Sequence, residues 1–250
     1  MPTAFKDHFS GHAADYARYR PHYPEALFAY LASLVDGHEL AWDCGTGNGQ
    51  AAHGLATHFE RVIATDASAE QIRSAIPHER ITYRVEPAEN TTLPSRSADL
   101  VLVTQALHWF DFDGFYAEVR RVLKPGGIIA AVSYAGSRVS PKIDPITQRY
   151  LHEIIEPYWP PERRYVDEGY RTIAFPFTEL SPPTLQMKEW WSLDDFMGYL
   201  QTWSAAKRYE RAHGTNPVDL IRPELLAAWG DPETKRIVRW PLNMRVGRYE

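Results

Sequence analysis

Between about residue 24 and residue 133, short apolar runs alternate with segments whose apolar positions recur at helical spacing. Leu40–Cys44, Arg61–Asp66, Ile81–Val85, Ser97–Thr104 and Ile128–Ser133 read as five strands, each an apolar run bounded by turn-forming or charged residues. Ser68 is placed to cap a helix beginning Ala69-Glu70-Gln71-Ile72. Phe112, Phe115, Tyr116, Val119, Val122 and Leu123 mark the apolar side of a second helix, which Lys124-Pro125-Gly126-Gly127 ends. Strands alternating with helices in this way predict a parallel sheet covered by helices on both faces. Ligands on such sheets bind beyond the carboxyl ends of the strands. Asp43, Gly45, Asp66, Glu89, Thr104 and His108 all fall at or just past those predicted ends.

After Ser133 the texture changes. Eight of the nineteen prolines lie between Pro141 and Pro183, a poor setting for regular strands. Ile146–Ile155 reads as a helix within this stretch, and the whole is expected to form a lid and substrate wall over the strand ends. Leu185–Trp191 reads as a strand, followed by a capped helix from Ser192 to about Lys207 and another helix from Pro217 to Trp229. Arg236–Val246 reads as the last strand, in which Pro241 suits an edge or a bulge. The expected organisation is residues 1–133 as N-terminal cap and binding core, 134–182 as lid insertion, and 183–250 as the strands and helices that complete the sheet.

The most specific stretch is Asp43-Cys44-Gly45-Thr46-Gly47-Asn48-Gly49-Gln50. Glycines at a strand-to-helix turn let the backbone bend and approach a ligand closely. A dinucleotide fingerprint from Gly45 needs Gly or Ala at position 50, where Gln50 stands, and Gly49 comes one residue early. Asp43 beside the turn is awkward for a pyrophosphate and suits a ligand carrying an ammonium group.

The D-x-G-x-G-x-G pattern resembles motif I of the class I S-adenosylmethionine-dependent methyltransferases, whose ligand is a nucleoside with a cationic sulfonium and an amino-acid tail. Asp66 ends the next strand, Glu89 follows the third, Ala106-Leu107-His108-Trp109 follows the fourth, and Arg120-Arg121-Val122-Leu123-Lys124-Pro125-Gly126-Gly127 is similar to the corresponding family segment. That ordered set is more specific than any of its members. The resemblance implies a Rossmann-like, doubly wound α/β fold with a seven-stranded sheet, its last two strands an antiparallel pair, and a helical lid. It implies a cofactor site containing Asp43, Gly45, Thr46, Gly47 and Asn48 at the turn, Asp66, Ala67 and Gln71 at the ribose, Ala88 and Glu89 near the adenine, and Gln105 and Ala106 after the fourth strand. Tyr16-Ala17-Arg18-Tyr19-Arg20-Pro21-His22-Tyr23-Pro24 resembles the Y-x-x-x-R-P-x-Y-P segment of a trans-aconitate methyltransferase-like subgroup, in which it closes over the cofactor. Tyr16 is placed there with it, and Arg20 is assigned to the methionine carboxylate.

Each assignment has a structural counterpart. Asp43 and Asp66 could be turn- and helix-capping acids, and Arg20 a solvated charge. Cys44 reads as a packing residue, and His108 and Trp109 are either catalytic or structural. Trp159, Arg163, Arg164, Tyr165 and Trp203 are candidates for the acceptor. Ten histidines lie without metal-ligand spacing, so no metal is expected. A sulfonium methyl group is already activated, so the enzyme must chiefly position the reactants and exclude water. No strong acid–base constellation is visible, which favours an acceptor that needs little activation, such as a carboxylate.

Bulk properties fit this reading. A net charge of −5 gives no reason to expect a nucleic-acid partner. One cysteine excludes an intramolecular disulfide. No apolar run approaches the roughly 20 residues a bilayer requires. No signal core is visible, and the expected compartment is cytoplasmic. The function expected is methyl transfer from S-adenosylmethionine to a small molecule, most simply to an oxygen of an organic acid. The alternatives are N- or C-methylation of another metabolite and a non-catalytic binding protein. A nicotinamide-dependent dehydrogenase is disfavoured by Asp43 and Gly49. An RNA or protein methyltransferase would more often carry an N-P-P-Y-type motif where Thr104-Gln105-Ala106-Leu107 stands.

Overall fold

The computed structural model describes residues 19–250. A first helix, α1 (Glu25–Ala32), precedes β1 (Leu40–Cys44), α2 (Gln50–Leu55), β2 (Arg61–Asp66), α3 (Ala69–Arg73) and β3 (Ile81–Val85). The chain then crosses back to β4 (Ala98–Thr104), α4 (Phe112–Val122) and β5 (Leu123–Ser133). β1 pairs in parallel with β2 on one side and with β4 on the other. The order of the main sheet is therefore β3-β2-β1-β4-β5, continued by β9 (Asn243–Arg248) and β6 (Thr178–Leu180), seven strands in all. The direction of winding reverses between β1 and β4, so the crevice beyond their carboxyl ends is the switch point where such sheets bind ligands.

β1 shows why these residues make a central strand. All five are buried; Ala41 packs into one core, while Leu40, Trp42 and Cys44 pack into the other. Trp42 brings its one polar atom into the sheet satisfied, its Nε1 donating to Thr65 Oγ1 at 2.8 Å. In β4 a register shift between Ala98 and Leu100 changes which face the side chains address. Asp99 sits at that irregularity and accepts the Glu39 and Leu40 amides, each at 3.0 Å. Lys124 Nζ meets its other oxygen at 2.8 Å, so a carboxylate almost without exposure is fully partnered.

Two expectations about the C-terminal part need correction. Leu185–Trp191 and Arg236–Val246 do not enter the main sheet as its closing pair. β7 (Gln186–Trp191) and β8 (Arg236–Pro241) form a separate antiparallel ribbon, buried through Met187, Trp191, Val238 and Trp240. Pro241 has no amide to donate and ends the ribbon; the chain turns at Leu242, and β9 then enters the main sheet antiparallel to β5. The antiparallel pair that does close the sheet is β9 with β6, and β6 lies inside the proline-rich stretch read as unsuited to strands. Three residues between Pro176 and Pro182 suffice for an exposed edge, where a short strand is no liability.

The second correction concerns the helix from Ser192. Ser192 and Asp195 form the expected capping box at the start of α7 (Leu193–Gln201). The helix stops at Thr202, Trp203 is extended, and a new helix, α8 (Ser204–His213), begins. The lid itself comprises α5 (Asp144–Arg149), continued by one π-helical turn over Tyr150–Ile154, and α6 (Arg163–Asp167). α9 (Arg222–Trp229) follows a short 3-10 turn at Pro217–Leu220 and packs Trp229 against Phe196, ring centroids 5.7 Å apart. Among the described residues no helix is long and apolar enough to cross a membrane, and no group of acids, histidines and cysteine could hold a metal.

Candidate active site

The turn after β1 has an unusual backbone. Gly45, Gly47 and Gly49 adopt φ of 69°, 57° and 91°, a left-handed region that strains any other residue. Gly45 also lies against the turn that follows β4: a Cβ there would stand 2.5 Å from the Ala106 Cβ and 3.1 Å from Phe110 Cζ. The two sides of the crevice are thus in contact through a missing side chain. Gly45 and Thr46 both donate to the Thr65 carbonyl, at 2.8 and 2.9 Å, which ties the turn to β2.

Both strand-end acids shape this turn. Asp66 accepts the Gly47 amide at 2.9 Å on one oxygen and the Ser68 amide at 2.8 Å on the other. Ser68 caps α3 by accepting the Gln71 amide at 3.3 Å, and the Gln71 side-chain oxygen reaches within 3.7 Å of where a Gly47 Cβ would be. Ala67, Gln71, Asp66 and Gly47 are therefore neighbours. Asp43 is fully buried one step behind, and its Oδ2 accepts from Thr46 Oγ1 at 2.5 Å. Its Oδ1 has no hydrogen-bond partner among the described residues. Burial lifts this carboxyl to about 7, against the Thr46 and Ala52 contacts that hold it down, with Asp66 adding to the rise. Cys44 is buried, and burial followed by the Asp43 charge pushes its thiol well up, so it is a packing residue and no nucleophile.

After β3, Ala88 is buried and Glu89 accepts the Asp111 amide at 3.0 Å, linking this loop to the start of α4. After β4, Gln105 is a non-glycine residue at φ 55°. That strained conformation, which costs on the order of 1–2 kcal/mol, is held by the end of β5: Gln105 Nε2 donates to the Tyr134 carbonyl at 2.8 Å, and its backbone amide donates to the Val132 carbonyl at 2.9 Å. Asn48 is partly exposed at the rim of the turn. Tyr16 lies outside the described residues.

Beyond Gln105 a cavity of about 90 Å³ opens between the strand ends and the lid. Arg20, Gln105, His108, Trp109, Trp159, Arg163 and Trp203 line it, as sequence reasoning anticipated for several of them separately. Arg20 points to Tyr134 Oη and the Thr202 carbonyl, both 3.4 Å away, and the Gln50 side chain donates to the neighbouring Pro21 carbonyl at 3.1 Å. Arg164 and Tyr165 are not in the lining; Arg164 donates to the Tyr165 hydroxyl at 3.0 Å and stacks on its ring. Tyr134, Tyr170 and Tyr199 were not anticipated. Tyr134 follows β5 directly, so the strand-end rule could have found it. Nothing local marks the other two.

Tyr170 organises the far wall. It is fully buried at φ 61°, and its hydroxyl stands 3.0 Å from His108 Nδ1. Burial raises that phenol above its ordinary range, so it stays protonated. Burial, and then the nearby Arg163 guanidinium, lower His108 to about 3, so the imidazole is neutral at physiological pH. Arg163 pairs through Nε with Asp167 at 2.8 Å and lies 4.3 Å over the Trp159 ring. Among the described residues no aspartate or glutamate side chain lines the cavity.

Residues 42–131 match the methyltransferase domain family. A Dictyostelium discoideum protein named as a methyltransferase is 33% identical over 256 residues, covering 100% of this chain and 97% of its own. A solved structure from Anaeromyxobacter dehalogenans, described as a type II methyltransferase, is 49% identical and has a TM-score of 0.87 over 92% of this chain and 97% of its own. A Bacillus subtilis structure at 15% identity, TM-score 0.54, covering 91% of this chain and 99% of its own, shares the fold alone. One-third identity sustained from end to end, with a glycine turn set at the switch point of the sheet, makes this chain a member of the class I S-adenosylmethionine-dependent methyltransferases.

Proposed function

We propose that this chain methylates a carboxylate oxygen of a small organic acid, in the cytoplasm. The observation that carries the reading is the charge of the cavity: Arg20 and Arg163 line it, Arg163 pairing through Nε with Asp167 behind the lining, and no acidic side chain among the described residues lines it. An amine or a cationic acceptor would be repelled there, whereas a carboxylate would be drawn in and could be held bidentately.

The cofactor half of the crevice fits a ligand with a cationic amino-acid tail. Asp43 keeps a buried oxygen without a partner among the described residues, and the backbone at Gly47 is open to close approach, with only the Gln71 side-chain oxygen near, 3.7 Å from where a Cβ would stand. We assign Asp43, Gly45, Thr46, Gly47 and Asn48 to that tail and its shell. Asp66, with Ala67 and Gln71, is assigned to the ribose hydroxyls, and Ala88 and Glu89 to the adenine edge. Gln105 and Ala106, just past β4, are assigned to the cofactor as well. Arg20, in a segment bound to Gln50 beside the turn, is assigned to the methionine carboxylate, which leaves Arg163 to anchor the acceptor.

When bound, S-adenosylmethionine supplies an activated methyl group. A carboxylate acceptor, already anionic near neutral pH, would take that methyl group without any residue of the chain having to remove a proton. The chain's own residues then have three tasks: Arg163 holds the acid, Trp109, Trp159 and Trp203 exclude water, and the neutral His108 orients the acceptor. An imidazole with a pKa of about 3 is a poor base for a hydroxyl or an ammonium, which again favours an acceptor that is already ionised. The test is turnover of purified chain with S-adenosylmethionine and a panel of carboxylic acids, phenols, thiols and amines, reading S-adenosylhomocysteine and product mass. Methyl esters are the expected products; methylated amines, phenols or thiols without any ester would overturn the reading.

A further inference from the structure

We infer that the acceptor is a flat aromatic monocarboxylic acid of one ring, a benzoate-like acid. This rests on the organic-acid reading and narrows it. The walls of the cavity are rings: Trp109, Tyr134, Trp159, Tyr199 and Trp203. Among the described residues its aliphatic wall is limited to small groups, from Ala135, Pro160 and Val166, with no leucine, isoleucine or methionine that could mould itself to a flexible chain.

The rings are also fixed in place. Trp203 meets Tyr150, Trp159 and Tyr199 at centroid distances of 5.8, 5.9 and 5.4 Å, the last nearly perpendicular at 88°. Tyr199 is pinned from behind by Trp240, whose Nε1 donates to its hydroxyl at 2.9 Å. Such a lattice keeps its shape when empty, so it selects by shape and by edge-to-face contact with another ring. A cavity of about 90 Å³ is smaller than the roughly 150 Å³ apolar cavity that binds benzene, which limits the acceptor to no more than a single ring.

The polar end of the cavity offers one carboxylate site. Arg163 uses its Nε on Asp167 and its face on Trp159, so its two Nη groups, which make no hydrogen bond among the described residues, form the fork left over. Trp159 Nε1 is buried without a partner among the described residues and provides a further donor on the same wall. An aryl ring seated among the indoles with its carboxylate on Arg163 uses every one of these features.

The decisive comparison is between acids that share the carboxylate and nearly the same volume but differ in flatness: benzoate against cyclohexanecarboxylate, and phenylacetate against cyclohexylacetate. With the whole chain and S-adenosylmethionine, the aryl member of at least one pair is expected to show at least tenfold higher kcat/KM for methyl ester formation. Trp203→Leu should collapse that ratio toward one, whereas Arg163→Gln should lower both members alike and keep the ratio. Binding of the same acids in the presence of S-adenosylhomocysteine, read by titration calorimetry, gives a second measure that does not need turnover. Equal or inverted preference in both pairs, or no binding of either aryl acid, overturns the aromatic assignment. Esters formed only from aliphatic acids would do so while leaving the organic-acid reading intact, and products formed only from amines, phenols or thiols would remove that reading itself.

Discussion

Gly45→Ala is the sharpest probe of the crevice, because the structure gives both parts of its cost. At φ 69° an alanine is left-handed, which costs about 1–2 kcal/mol. Its Cβ would lie 2.5 Å from the Ala106 Cβ and 3.1 Å from Phe110 Cζ, and overpacking of that kind costs about 1–3 kcal/mol. The sum is about 2–5 kcal/mol, and even its lower end weakens binding about thirtyfold if the turn must open to relieve it. Most of the steric part belongs to the pair Gly45–Ala106, with the Phe110 ring taking the rest, while the backbone part belongs to Gly45 alone. Ala106→Gly added to Gly45→Ala should therefore restore about 1–2 kcal/mol and leave the rest. The assay is a double-mutant cycle, with S-adenosylhomocysteine affinity read by calorimetry and stability by thermal unfolding of the same four proteins. Strict additivity of the two substitutions in both measures would show that the turns after β1 and β4 do not press on each other, and would refute the argument for a crevice closed through Gly45.

Asp43 predicts a pH dependence. Its folded pKa is raised from 3.8 to about 7, so its contribution to the free protein's stability is full below about pH 4 and is lost as pH rises through about 7. A cationic ligand against it lowers that pKa, so affinity for S-adenosylmethionine should fall as pH drops below 7, and Asp43→Asn should remove the slope; a flat wild-type profile from pH 5.5 to 8 would count against the assignment. Asp66→Ala should weaken cofactor binding by about 1–3 kcal/mol through lost ribose hydrogen bonds and a loosened turn, which wild-type affinity in calorimetry would contradict. Tyr170→Phe deletes the hydroxyl that meets His108 Nδ1 and should reduce kcat/KM about fivefold while leaving cofactor affinity in place; an equal loss of cofactor affinity would make Tyr170 a merely structural residue.

The glycine turn and its acids, the part assigned to the cofactor, were legible because their signals are local. A left-handed turn needs glycine where it bends, and an acid that closes an apolar run stands out within that run, although one of the two amides Asp66 receives, that of Gly47, lies 19 residues earlier. Gly45, Gly47, Asp43 and Asp66 announce themselves in one short stretch or at the end of one apolar run, and the strand-end rule would have added Tyr134 by the same logic. The closing strands were misread for the opposite reason. β7, β8 and β9 have similar apolar content, and only Pro241, which stops one pairing and frees the next segment for another, separates a ribbon from a sheet edge.

The acceptor half is assembled by non-local contacts, and one pair of residues shows why no pattern could reveal it. Arg163 and Arg164 are adjacent on α6, a helix of five residues. Successive helical residues point about 100° apart, so one arginine can face the cavity and the other must face elsewhere, yet five residues carry too little periodicity to say which. Packing decides: Trp159 beneath and Asp167 one turn on draw Arg163 inward, and Tyr165 holds Arg164 outside. Tyr199 and Trp203 reach the same cavity only because α7 ends at Gln201 and the chain runs extended through Trp203 before α8 starts. The residues that would choose the acceptor thus depend on short lid elements whose phase is set by their neighbours, while the residues that would hold the cofactor depend on backbone conformation at strand ends. A change of one or two lid residues that turned Arg164 inward in place of Arg163 would move the anchoring charge without touching the sheet, so acceptor choice can diverge while the glycine turn and its acids stay as they are.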